Sequence, residues 1–222
     1  MFRVKICGIT TATDAAMAVS FGADAIGINF YRGSRRYVPP DEAAPIIAAL
    51  RGKASAVGVF VNESPEVIEE ICRTLGIGMV QLSGREPASL ASRLPFRRIK
   101  AVHLGEESEL RSLRDYPCES FLLDAYVPGE YGGTGVALPW DRIAALWEEN
   151  APPGGGGAGQ RKPWILAGGL TPENVRTAIH LARPDGVDVA SGVETLPGKK
   201  DPMKMKLFIR YAKKELEVNN EI

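Results

Sequence analysis

Two side chains in this chain of 222 residues are placed to move protons. Cys7 closes the apolar run VKICG. A thiolate there can take a proton from carbon if its pKa falls from the free value of about 8.5. Asp124 lies in the run LLDAY, where desolvation favours the neutral carboxyl, so it can act as an acid. Taken alone, Asp124 serves equally well as a hydrogen-bonded cap on the loop that follows. Cys72 and Cys118 read as small buried hydrophobes, the commoner fate of a cysteine.

Glycine-bearing segments supply a second kind of chemistry. Tyr131-Gly132-Gly133-Thr134-Gly135, Gly168-Gly169 and Ala190-Ser191-Gly192 let backbone N–H groups approach a phosphate without side-chain obstruction. A helix start just beyond adds a positive dipole end. One glycine pair also suits a plain tight turn, but three such segments converging make phosphate the better reading. The residues alone give cofactor-free acid–base chemistry on a phosphorylated small molecule, with the substrate unnamed.

The elements that must position these groups are short apolar, β-rich runs, each followed by a helical pattern. Strands are predicted near Val4–Gly8, Ala25–Phe30, Ala56–Val61, Met79–Leu82, Arg98–His103, Phe121–Ala125, Trp164–Ala167 and Val187–Ala190. Helices are predicted over Thr11–Phe21, Pro40–Leu50, Pro65–Leu75, Pro87–Arg93, Ser108–Arg114, Trp140–Glu149, Pro172–Ala182 and Pro202–Glu217. Eight alternations imply parallel strands with right-handed crossovers, and eight strands close a parallel sheet on itself. The predicted fold is α/β, a single (β/α)8 TIM barrel over residues 1–222. The run APPGGGGAGQRK at 151–162 reads as a flexible surface insertion, at the barrel's bottom because a strand follows it.

In such a barrel the loops after strands build the active site. The unusual residues fall there: Cys7-Gly8, Arg32–Tyr37, Gln81-Leu82-Ser83-Gly84, Asp124, Gly168-Gly169 and Ser191-Gly192. Strand alternation puts Lys5 on the same face as Cys7, and Asp188 on the neighbouring eighth strand. An ammonium inside a barrel needs a counter-ion, so a Lys5–Asp188 pair is expected, bringing positive charge near Cys7.

Twenty-seven Lys and Arg balance twenty-seven Asp and Glu, leaving no field to attract nucleic acid or a membrane surface. No apolar run approaches a membrane span, and the first residues do not form a signal peptide. Three scattered cysteines and two histidines argue against disulfides or a metal site. The expectation is a cytoplasmic enzyme without cofactor or metal, monomeric or homodimeric.

With these residues in place, the chain resembles the phosphoribosylanthranilate isomerases of tryptophan biosynthesis. The matching segments are VKICGIT, GADAIGINFY, SRRYV, VGVFVNE, VQLSG, LLDAY, YGGTG, LAGGLTPENV and VDVASGVE with PGKKD, in order over nearly the whole length. The resemblance implies an Amadori rearrangement of N-(5-phosphoribosyl)anthranilate to 1-(2-carboxyphenylamino)-1-deoxyribulose 5-phosphate. It implies that Asp124 protonates the furanose oxygen and Cys7 removes the C2′ proton. It further implies that Arg36 holds the anthranilate carboxylate, and that Gln81 and Asp188 contact the ribose hydroxyls. Gly133, Thr134, Gly135, Gly168, Gly169, Ala190, Ser191 and Gly192 would hold the phosphate. Two departures stand out: Ser83 replaces the histidine of the usual QLHG, and Ala190-Ser191 replaces a serine pair.

Overall fold

The computed structural model describes residues 1–103, 115–124, 140–150 and 161–219. Among these, β1 (Val4–Cys7), β2 (Ala25–Asn29), β3 (Ser55–Phe60), β4 (Met79–Leu82), β5 (Arg97–His103), β6 (Ser120–Asp124), β7 (Trp164–Ala167) and β8 (Gly186–Val189) form a closed barrel. Every neighbouring pair is parallel, and β8 returns to β1 with Lys5 opposite Asp188. The outer layer is built from α1 (Ala12–Ser20), α2 (Ala44–Ala48), α3 (Pro65–Leu75), α4 (Ala88–Arg93), α5 (Trp140–Asn150), α6 (Val175–Ala182) and α7 (Pro202–Asn219). The predicted (β/α)8 barrel is the observed architecture.

Strand alternation divides the core in two. Ala25, Val57, Met79, Ile99, Ala101, Leu122, Ile165 and Ala167 point inward and pack with Phe2. Val4, Ile6, Ile26, Ile28, Val80, Leu82, Leu123 and Leu166 face the helices. Strands buried on both faces explain why the runs read as continuously apolar rather than alternating. Trp147 of α5 wedges between Phe121 and Trp164, at centroid distances of 5.6 and 5.9 Å.

Local chemistry sets the helix ends. Thr11 caps α1 by accepting from the Asp14 amide, and Ser64 caps α3 ahead of Pro65. The predicted helix Pro40–Leu50 is split into a 3-10 turn at Pro40–Glu42 and the short α2. Pro45 has no N–H to continue an earlier helix, so a new one starts around it. The helix expected from Pro172 begins at Val175, because Asn174 Oδ1 accepts from the Thr171 amide at 2.8 Å and holds the preceding turn apart. The predicted helix Ser108–Arg114 and residues 151–160 of the glycine-rich segment lie outside the described residues. A hairpin missed by the sequence pattern, β9 (Glu194–Leu196) with β10 (Lys199–Lys200), follows β8. Among the described residues no helix is long and apolar enough to cross a membrane.

A buried ion pair braces the rim after β3 and β4. Lys100 Nζ donates to Glu86 Oε2 at 2.7 Å and to the Gly84 carbonyl at 2.6 Å. Glu86 Oε1 accepts from the Asn62 and Gly84 amides, both at 2.9 Å. Burial pushes the Glu86 carboxyl up, but Lys100 and the amides outweigh it and hold its pKa below the ordinary carboxylate value. Glu86 therefore contributes stability above the carboxylate range, which is lost as pH falls through its depressed pKa. Lys100→Met is expected to cost about 3–5 kcal/mol at neutral pH, because it strands a buried carboxylate. In urea titrations the deficit should shrink in acid; an equal deficit at both pH values would separate Lys100 from Glu86.

Candidate active site

The inner floor of the barrel mouth is a hydrogen-bonded row centred on Lys5. Its fully buried ammonium donates to Asp188 Oδ1 and to Gln81 Oε1, each at 2.8 Å. The first partner is the neighbouring strand's residue, and the second is reached across the interior on β4. Gln81 Nε2 in turn donates to Ser83 Oγ at 3.0 Å. Burial presses the Lys5 pKa downward, yet Asp188 and the Cys7 thiol lift it above its ordinary value, so the ammonium stays charged. The expected Lys5–Asp188 pair is present.

Cys7 is the next inward residue of β1, opposite Gly27 of β2. A methyl at position 27 would stand 2.7 Å from the Cys7 sulfur, so glycine there makes the room that the thiol occupies. Burial raises the Cys7 pKa, while Lys5 and Lys200 pull it down and Asp188 raises it; the net direction is upward. The lowered value that would activate the thiolate is thus not supplied by the folded chain's own charges. Asp124 ends β6 opposite Ala167, on the inward face shared with Leu122, and its side chain is half-buried. Both candidate proton carriers therefore end inward-facing strands at the same, C-terminal mouth.

Three arginines follow β2, and the structure distinguishes them. Arg32 lies 5.8 Å over the Tyr37 ring. The aliphatic stem of Arg36 instead crosses Gly8, where a methyl would meet its Cδ at 2.3 Å, which brings the guanidinium beside Cys7. Its Nε and Nη2 donate to the two oxygens of Glu194 at 2.8 and 2.7 Å. Glu194 also accepts from Lys200 Nζ at 2.8 Å, and Lys200 reaches the Cys7 and Ala190 carbonyls at 2.6 and 3.0 Å. Burial raises the Glu194 carboxyl, but Arg36 and Lys200 together hold it below the ordinary range.

The loops after β7 and β8 meet. Gly168 and Gly169 adopt φ of 87° and 64°. Asn174 Nδ2 holds the Gly169 carbonyl at 2.9 Å. Ser191–Val193 form a 3-10 turn after Ala190. A side chain at Gly192 would strike the Leu170 carbonyl at 1.8 Å, so only glycine allows the two loops this approach. Gly133, Thr134 and Gly135 lie outside the described residues.

Sequence reasoning brought forward Cys7, Arg36, Gln81, Asp124 and Asp188, but missed Gly27, Glu194 and Lys200. The segment ETLPGKK carries the signal, two short polar runs around Pro-Gly, which is hairpin chemistry. Among the described residues, no three His, Cys, Asp or Glu cluster in a way that could hold a metal ion. The arrangement sets a thiol and a carboxyl at one mouth, with a guanidinium and glycine-rich turns in the loops beside them.

Comparison with known proteins gives one family. The sequence model of the N-(5'phosphoribosyl)anthranilate (PRA) isomerases matches residues 4–211. A relative from Geobacter metallireducens, named N-(5'-phosphoribosyl)anthranilate isomerase, is 44% identical over 213 residues, 96% of this chain and 100% of that protein. The crystal structure of phosphoribosyl anthranilate isomerase from Thermotoga maritima superposes with a TM-score of 0.85 at 42% identity, covering 96% of this chain and 100% of that one. A structure of such an isomerase in complex with reduced 1-(o-carboxyphenylamino)-1-deoxyribulose 5-phosphate gives 0.81 at 39% identity, covering 96% and 100%.

The raised thiol has a measurable consequence. Iodoacetamide labelling of the native protein, followed by peptide mass spectrometry, should reach Cys7 first and accelerate as pH rises past the ordinary thiol range. Buried Cys72 and Cys118, pushed up to about 12 and about 11, should label only on unfolding. Lys5→Met should slow Cys7 labelling further. A labelling rate already flat at neutral pH would mean that the thiol is shifted down instead.

Proposed function

The chain belongs to the N-(5′-phosphoribosyl)anthranilate isomerase family, and we propose that Cys7 and Asp124 are the base and acid of its reaction. The enzyme catalyses the Amadori rearrangement of N-(5-phosphoribosyl)anthranilate to 1-(2-carboxyphenylamino)-1-deoxyribulose 5-phosphate, a step of tryptophan biosynthesis. The observation that carries the assignment of roles is that both groups end inward-facing strands at one mouth of one barrel.

Asp124 gives a proton to the furanose oxygen as the C1′–O bond breaks, and the anilino nitrogen's lone pair forms a protonated Schiff base. Cys7 then takes the C2′ proton; the electron pair of that bond becomes the C1′=C2′ double bond and the π pair of the Schiff base returns to the nitrogen, giving an enolamine. Loss of the 2′-hydroxyl proton and protonation at C1′ give the ketone, so no atom is gained or lost overall. In the folded chain alone, burial keeps the thiol protonated beyond its ordinary range. The thiol must therefore lose its own proton to solvent before it acts, and a cation formed by ring opening beside the sulfur favours that loss.

Arg36 receives the anthranilate carboxylate, for which a guanidinium fork is the matching shape. The amides of Gly168–Gly169 and Ala190–Gly192, with Gly133, Thr134 and Gly135, hold the phosphate. Asp188 and Gln81 face the ribose from the barrel floor, where Lys5 fixes both.

Conversion is followed by the loss of anthranilate fluorescence from freshly prepared substrate. Cys7→Ala and Asp124→Asn should each lower kcat by about 10²–10⁴-fold, the range for a removed acid or base. Because the free-enzyme thiol is neutral at neutral pH, kcat/KM should climb with pH into the thiol range. Wild-type turnover in both variants would end this assignment of roles.

A further inference from the structure

Glu194 and Lys200 are buried charges that the acid–base steps leave unused. We propose that Glu194 is a positioning residue for carboxylate recognition, holding Arg36 so that one edge of its guanidinium faces the substrate. This rests on Arg36 receiving the anthranilate carboxylate.

Geometry carries the proposal. A guanidinium has five N–H donors. Arg36 directs Nε and Nη2 at the two oxygens of Glu194, leaving the Nη1–Nη2 edge as a second fork for an incoming carboxylate. The Arg36 side chain is 24% exposed whereas that of Glu194 is 4% exposed, so the open edge belongs to the arginine and the closed one to its partner. Lys200 cannot compete for the substrate, since its three N–H bonds go to Glu194 and to the Cys7 and Ala190 carbonyls. The charges of Arg36, Glu194 and Lys200 sum to one positive, the complement of one carboxylate. With its stem pinned across Gly8 and its fork held by Glu194, Arg36 is ordered before substrate arrives, which removes a rotamer cost from binding.

The test compares Glu194→Gln, Arg36→Gln and the double variant, with anthranilate and inorganic phosphate as competing probes. Glu194→Gln keeps the side chain's shape but sets an amide N–H against the guanidinium. It should raise the substrate KM and the anthranilate inhibition constant about ten-fold, the scale of one charged hydrogen bond. Its kcat and its inhibition by phosphate should stay near those of the wild type. In KM and anthranilate inhibition the double variant should be no worse than Arg36→Gln, since Glu194 acts on the carboxylate only through the guanidinium. If Glu194→Gln does not fold, Glu194→Asp keeps the charge for Lys200 while withdrawing the carboxylate by one methylene, and carries the same expectation. A folded Glu194 variant with unchanged KM beside a damaged Arg36→Gln overturns the positioning role and leaves the Arg36 assignment standing. An Arg36→Gln enzyme with wild-type KM overturns both. Equal loss of kcat, anthranilate and phosphate inhibition in the Glu194 variant also overturns the proposal, since that pattern means a collapsed site.

Discussion

An ammonium enclosed by a ring of strands is the constraint around which the candidate active site is arranged. Lys5 has no solvent to turn to, so its environment must supply both counter-charge and acceptors. Asp188 meets it from the adjoining strand and Gln81 from across the barrel, and these contacts orient groups that face the mouth. The same charge stands one inward position below Cys7 and offsets part of what burial does to the thiol. Removing the lysine would therefore disturb packing, side-chain orientation and titration together, which is why no single one of these describes its role.

The architecture was legible because eight short apolar runs alternating with helical patterns leave few topologies open. Parity along β1 and β8 was enough to foresee the Lys5–Asp188 pair. Parity cannot show what reaches across a barrel, so the link from Lys5 to Gln81, and through it to Ser83, belongs to the folded chain alone. Ser83 stands where a histidine is usual; in the fold its hydroxyl accepts the amide hydrogen of Gln81, whose oxygen is turned to the lysine because an ammonium only donates. Glu194 and Lys200 sit in a segment whose only local signal is that of a hairpin. That pattern shows the turn but not its distant partners, Arg36 in the loop after β2 and Cys7 at the end of β1. Gly27 escaped notice because its purpose is the absence of a methyl beside a sulfur on the next strand.

Two buried carboxylates perform parallel tasks at the rim. Glu86 gathers Lys100 and the amides of Asn62 and Gly84, tying the loops after β3 and β4. Glu194 gathers Arg36 and Lys200, tying the end of β1 to the loops after β2 and β8. Both carry a pKa held below the ordinary value despite burial, because donors outnumber the lost water. Loops that must present side chains with sub-ångström accuracy thus lean on ionic anchors rather than on apolar packing alone.

The hairpin's lysine clasps the carbonyls of Cys7 and Ala190, which lie just past the last register pair where the first and last strands meet. During synthesis, then, the sulfur emerges long before Asp188, Glu194 and Lys200 can join it. A nascent chain that has made seven strands still lacks Asp188 beside Lys5, Glu194 beside Arg36 and the clasp itself. Catalytic competence cannot be built up gradually along such a polypeptide; it arrives when the C-terminal segment docks.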